Sequence, residues 1–332
     1  MNCHQDDMVD KNNVSGIEFD WVKNSTHYKN WLIDSIDKLN SIQLNTYNNA
    51  VKLLQKRKFE YKIPSFNDEL WLIKYYSFQL SQFVNSNNLK PSVKETSLVL
   101  FNRFYLRRSL LEYDPRIIMF TCITLATKLE DMWRSVYIDK LLYKINNLNI
   151  TKVFEMESIV CDVLNFNLNI LHLNDSIYIL IQLLISYIKE SLDVDGINEY
   201  IGIILYMLKE AEMSALIMNE SPSLTFLYTP PQLTLSIILQ LIKNTSLSTI
   251  LSIESFVLKL LNGDEKNLMK LLSLTQSITD EYNEFLAFRN ELNQSKALPQ
   301  SNCMVIPFLI PKSILTNVLN GNWELVNRNW EL

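Results

Sequence analysis

The sequence predicts an all-α protein: two tandem five-helix repeats, an additional N-terminal helix and an irregular C-terminal tail. Only 5 Gly and 9 Pro punctuate 332 residues, so tight turns are scarce and long helices are favoured over a turn-rich β fold. Apolar residues recur at helical spacing through most of the chain. The organisation also repeats in the letters, because Tyr113-Asp114-Pro115 and Tyr228-Thr229-Pro230 stand 115 residues apart, each before an apolar run.

Taken in order, residues 1–62 form an N-terminal extension in which Tyr28 to Lys58 reads as one long helix carrying Trp31, Leu39, Ile42, Val51 and Leu54. Ile63-Pro64-Ser65 breaks it. The first repeat, residues 63–168, opens near Asn67-Asp68-Glu69, acidic as a helix N-terminus prefers, with Leu70, Ile73, Tyr76, Leu80 and Phe83 on one face. A second helix starts at Pro91-Ser92-Val93 and ends near Arg107-Arg108. A third has Asp114 as N-cap, Pro115 as first residue and an apolar run, Ile117 to Ala126, on nearly every side. Such a helix must be surrounded by others. Val136 to Ile145 and Thr151 to Leu164 complete five.

The second repeat, residues 169–286, has helical patterns at Asp175–Glu190, Ile197–Met218, Pro230–Lys243, Ser252–Leu261 and Glu265–Leu286. The offset of 115 pairs Ile118 with Leu233, Phe120 with Leu235, Ile123 with Ile238 and Lys128 with Lys243. Residues 287–332 form the tail, where Pro299, Pro307 and Pro311 interrupt any pattern and Asn-Trp-Glu-Leu occurs twice, placing Trp323 and Trp330 seven residues apart.

Composition excludes several classes of function. The net charge is −5 with both signs interspersed, so no cationic surface for nucleic acid is expected. Cys3, Cys122, Cys161 and Cys303 are far apart and read as core thiols of a reducing compartment. The first twenty residues are polar, with no signal-like apolar stretch, and Ile177 to Ile188 is too short to cross a bilayer. An intracellular protein without membrane attachment is expected. The three histidines, His4, His27 and His172, form no Glu-x-x-His or His-Glu-x-x-His pair, and no Gly-rich phosphate loop occurs. Neither a cofactor, nor a metal, nor catalysis is expected. The basic cluster Lys52, Lys56, Arg57, Lys58 and Lys62 reads as a solvated helix face.

Three runs carry a family resemblance: Phe101 to Leu106, Leu111 to Cys122 with Leu125-Ala126-Thr127-Lys128-Leu129-Glu130, and Glu155 to Leu168 with its Leu164-Asn165-Phe166 ending. Leu227-Tyr228-Thr229-Pro230-Pro231-Gln232 and the helix with Trp31 add to them. Together they resemble the cyclin family, in its cyclin H branch, between Tyr28 and Leu286. The resemblance implies two five-helix cyclin boxes, in agreement with the repeat.

It also implies a regulatory subunit, not an enzyme, that binds a cyclin-dependent kinase catalytic subunit acting in kinase activation and RNA polymerase II transcription in the nucleus. A RING-finger assembly factor and the general transcription factor complex carrying the kinase are the further partners it implies. The kinase-binding residues carried over are Lys128 and Glu157, completed by Leu125, Leu129, Cys161, Phe166 and Leu168. Another transcription-associated cyclin, or a tandem cyclin-fold general transcription factor, is the alternative. The segment Asp68 to Lys74 lacks the substrate-docking motif of cell-cycle cyclins, so recruitment through that patch is not expected.

Overall fold

A computed structural model describes residues 20–56, 63–132, 138–145, 148–191 and 194–294. The elements among them are helical, with no strand, as the sequence predicts. Cys3, Cys303, His4, Arg57, Lys58, Lys62, Val136 and the two tail tryptophans lie outside the described residues.

Two compact units divide the chain. Among the described residues, unit 1 combines those within 20–38, 171–218 and 223–284, and unit 2 those within 39–170, 219–222 and 285–294. Most helices are formed where their sequence signals place them, with a few differences.

Unit 2 holds α3 (Ile36–Lys56), which starts in unit 1, α4 (Phe66–Ser86), α5 (Pro91–Arg107), α6 (Pro115–Leu129), α7 (Ile138–Leu142) and α8 (Ile150–Val163). The expected single helix from Tyr28 to Lys58 is instead two, α2 (Thr26–Asn30) and α3, after a short α1 (Asp20–Lys23). The break has a cause: Ile33 donates its N–H to the Phe226 carbonyl at 2.8 Å rather than along a helix, and the Ser35 hydroxyl accepts from the Lys38 N–H at 3.3 Å to begin α3.

α4 begins with a capping box, in which Ser65 Oγ accepts from the Asp68 N–H at 3.2 Å and Asp68 Oδ2 accepts from the Ser65 N–H at 2.9 Å. α6 begins as its sequence requires: Asp114 Oδ1 accepts from the Arg116 N–H at 2.8 Å and Pro115 fills the first helical position. Its residues from Ile117 to Thr127 are all buried, because α4, α5, α7 and α8 pack around it. α5 is enclosed to the same degree from Val93 to Leu106.

Unit 1 repeats the plan with α9 (Leu173–Ser191), α10 (Val194–Met218), α12 (Pro230–Asn244), α13 (Ile253–Leu260) and the first part of α14 (Glu265–Gln294). α12 is its enclosed helix, packed against α9 and α10. Leu233, Leu235 and Ile238, the partners of Ile118, Phe120 and Ile123 at the 115-residue offset, are as fully buried as they are. Before α12, Gln232 Oε1 accepts from the Thr229 N–H at 2.9 Å, so the Thr-Pro start also closes on itself.

Three differences concern extent. A short helix, α11 (Pro222–Leu227), precedes α12 where none is expected. α7 has a single turn and a half among the described residues. α14 runs eight residues past Leu286, through Phe288 and Arg289, whose side chains pack into unit 2. No helix among the described residues is long and apolar enough to cross a membrane.

Candidate functional site

α6 and α8 lie against each other in unit 2, and their junction presents the residues singled out from sequence. Thr121 links the two helices. Its hydroxyl, fully buried, lies 2.9 Å from the Ile117 carbonyl of its own helix and 3.0 Å from the Val153 carbonyl of α8. Two turns further along α6 is Lys128, and one turn along α8 is Glu157.

These two meet. Lys128 Nζ donates to both Glu157 carboxylate oxygens, at 2.7 and 2.6 Å. The pair sits at the surface, with the lysine side chain 47% and the glutamate 20% exposed, so its own contribution to folding is small, about 0–1 kcal/mol. Its position is nevertheless fixed, because α6 ends immediately beyond it in a tight cap. There Met132 donates to the Thr127 carbonyl at 2.9 Å, Asp131 has a left-handed φ of 52°, and Thr96 donates to Glu130 Oε1 at 2.6 Å. The lysine therefore stands at a helix C-terminus, where a cation is favoured.

The carried-over apolar neighbours divide into two groups. Leu129, 40% exposed, and Phe166, 69% exposed, are surface groups, with Cys161 and Leu168 half-buried beside them in sequence and helix register. Leu125 is only 7% exposed and serves mainly as core beneath them. The Cys161 thiol is held above its ordinary range by burial and then by the Glu157 and Asp162 carboxylates, against which Lys128 pulls.

The structure adds a residue that the sequence reading missed. Phe154 is 37% exposed and lies three residues before Glu157 and seven before Cys161, so the three share one face of α8. An exposed aromatic at helical spacing from the charged pair was the available signal, hidden because helix faces cannot be divided into core and surface without knowing what packs on them. The surface so assembled carries an aromatic at each end, apolar groups between and one ion pair in the middle. Such a surface suits recognition of another protein's apolar side chains and backbone.

The comparisons with known proteins agree with this reading of the fold. The family described as the cyclin N-terminal domain matches residues 30–169. Residues 30–169 are a cyclin domain. Cyclin mcs2 of Schizosaccharomyces pombe is 30% identical over 162 residues, covering 45% of this chain and 50% of that protein. A putative cyclin-H of Dictyostelium discoideum is 30% identical over 150 residues, covering 45% of this chain and 51% of its own length. The chain thus spans about half the length of the curated relatives it matches.

Among solved structures, a chain of the CAK complex of Chaetomium thermophilum bound to ATP-gamma-S superposes with a TM-score of 0.67. The match covers 93% of each chain at 18% identity, a likeness of fold. The resemblance to cyclins, and to cyclin H among them, is borne out by these relatives.

Proposed function

We propose that this cyclin binds and activates a cyclin-dependent protein kinase of the class that acts in kinase activation and RNA polymerase II transcription, and that it contributes no chemistry of its own. In this reading residues 63–168 and 169–286 are tandem cyclin boxes, and Lys128, Glu157, Leu125, Leu129, Cys161, Phe166 and Leu168, joined by Phe154, form the kinase-binding surface. The single observation that carries it is the Lys128–Glu157 pair, held at 2.6–2.7 Å amid exposed aromatic and aliphatic residues.

The mechanism follows from what phosphoryl transfer needs. A protein kinase is competent only when its strand lysine pairs with a glutamate on a movable regulatory helix. A surface that binds the kinase with that helix inward, better by about 5.5 kcal/mol than with it outward, turns a one-per-cent state into the dominant one. Apolar groups of the surface supply the affinity. The ion pair, with spare donors on Lys128 and spare lone pairs on Glu157, can bond kinase backbone groups and fix the orientation. The further partners belong to the same proposal: a RING-finger assembly factor, a general transcription factor complex, and a nuclear location.

The test is co-purification of the tagged full chain from its own cells with kinase assay of the eluate, for wild type, Lys128→Glu and Glu157→Lys. Each reversal leaves two like charges facing partly desolvated partner groups and is expected to cost about 3–5 kcal/mol of binding, enough to abolish recovery of the kinase. Recovery of an active kinase at wild-type levels with both variants would defeat the assignment of this surface.

A further inference from the structure

The loop after α8 contains a feature that packing within the chain does not explain. α8 ends with Phe166 donating to the Cys161 carbonyl and Asn165 to the Asp162 carbonyl, each at 2.9 Å, with Asn165 in the left-handed conformation at φ 50°. Asparagine tolerates that position in such a cap. Phe166 then takes a second left-handed φ of 55°, which an aromatic residue rarely adopts.

The end of α13 shows what a cap with the same hydrogen bonds looks like without this burden. α13 closes with Gly263 donating to the Leu258 carbonyl at 2.9 Å and Asn262 to the Lys259 carbonyl at 3.0 Å, with φ of 85° and 51°. Leu164-Asn165-Phe166 and Leu261-Asn262-Gly263 therefore make the same kind of turn at the ends of two different helices, and phenylalanine stands in one where the other has glycine. Phe166 is 69% exposed, so its ring recovers little of the backbone cost by burial.

Two arginines one turn apart on α5 hold this loop. Arg107 Nη1 donates to the Val163 carbonyl at 2.8 Å, capping the end of α8. With the Asn165 amide oriented to satisfy its neighbours, Arg107 Nη1 also donates to its side-chain oxygen at 3.0 Å, while the amide nitrogen donates to the Asp162 carbonyl at 3.2 Å. Arg103 Nη1 donates to the Asn167 carbonyl at 3.1 Å. Arg103 is only 1% exposed, and burial, followed by the neighbouring Arg107 charge, pushes its pKa down to about 9. Two cations on adjacent turns repel each other, yet both are aimed at the carbonyls that flank the strained pair.

We propose that Arg103 and Arg107 are positioning residues of the docking surface, clamping both sides of the left-handed Asn165-Phe166 pair so that the exposed Phe166 ring is presented, preformed, to an apolar pocket of the partner kinase. The inference rests on the kinase-binding reading and adds to it the device that sets the ring. Presenting the ring in advance removes the ordering cost that a mobile loop would carry into binding.

The experiment measures the affinity of the full chain for the cyclin-dependent kinase catalytic subunit that co-purifies with it, alongside the melting temperature of each variant. Arg107→Lys keeps the charge, but its shorter side chain stops short of the position from which Nη1 reaches both acceptors, and it is expected to weaken binding roughly tenfold, the worth of one hydrogen bond from a charged group. Phe166→Gly restores the glycine of the other cap, and is expected to raise the melting temperature while lowering affinity at least as much. Because the arginine acts through the ring, Arg107→Lys is expected to add nothing once Phe166→Gly is present.

Equal losses from Arg107→Lys with and without Phe166 would overturn the proposal, as would unchanged affinity in Phe166→Gly. If those variants bind normally while Lys128→Glu does not, the clamp fails and the kinase reading stands. If Lys128→Glu and Glu157→Lys also bind normally, both fail together.

Discussion

Glu69 sits on α4 with 5% of its surface exposed, and two donors reach it from the turn before α6. Ser109 donates to its Oε2 at 2.9 Å and the Leu110 N–H to its Oε1 at 3.3 Å. Burial nonetheless outweighs them, with the Glu112 charge adding to it, and its pKa is pushed up to about 7. Since the native state then binds a proton that the unfolded state has released, this group's contribution to stability is complete below pH 4.5 and is lost as pH rises towards 7. The upper bound is about 3 kcal/mol. Denaturant titration of wild type and Glu69→Gln at several pH values is expected to show this slope in wild type and its disappearance in the variant. An identical pH dependence in both would mean that the carboxyl is solvated and ionised throughout.

Among the elements, α6 is where sequence signals and tertiary packing meet most directly. Asp114 and Pro115 fix its first turn, and the buried hydroxyl of Thr121 ties it to α8. Removing the cap by Asp114→Ala is expected to cost about 1 kcal/mol, read as a lower denaturation midpoint with unchanged slope. Thr121→Val is nearly isosteric but lacks the hydroxyl, and is expected to lose about 1 kcal/mol of stability. If Thr121 sets the register of the two helices, kinase binding should also weaken beyond what the lost stability explains. Binding unchanged in a folded Thr121→Val protein would show that hydrophobic packing alone sets the register.

At the scale of the whole molecule, unit 2 is assembled from three separate stretches of chain, and a buried ionic cluster joins all three. Glu220, with no exposed surface, accepts from Ser81, lies 3.5 Å from Lys94 Nζ and accepts from Arg289 Nε at 2.9 Å. Nearby, Asn219 donates to Glu95 at 2.9 Å and accepts through its carbonyl from Asn102 at 3.3 Å. Lys94 is itself buried, and desolvation draws its pKa below the usual lysine range against the pull of Glu220. Glu220→Ala is therefore expected to cost about 3–5 kcal/mol by leaving that ammonium uncompensated, and Glu220→Ala with Lys94→Met to recover part of the loss. Denaturation curves of the two variants decide it: a double variant no more stable than Glu220→Ala alone would place the loss in Ser81 and Arg289 instead.

The sequence carried most of the helices, several of their starts and the repeat, since capping residues, prolines and apolar periodicity act within one or two turns of chain. It also carried Lys128 and Glu157, because their surrounding runs resemble a known family closely enough to be matched residue by residue. Other features were decided only by the fold. The break at Trp31 to Ser35 exists because the Phe226 carbonyl, far along the chain, takes the Ile33 N–H. Phe154 became a surface residue only when α6 covered the opposite face of α8. Glu220 and Arg289 read as ordinary solvated charges until α4 and α5 are found around them. The clamp of Arg103 and Arg107 on the Phe166 loop spans more than fifty residues, and no local rule links an arginine to a carbonyl at that distance in sequence. Short-range forces are written in the order of residues, whereas burial and long-range hydrogen bonding depend on which surfaces the helices finally share.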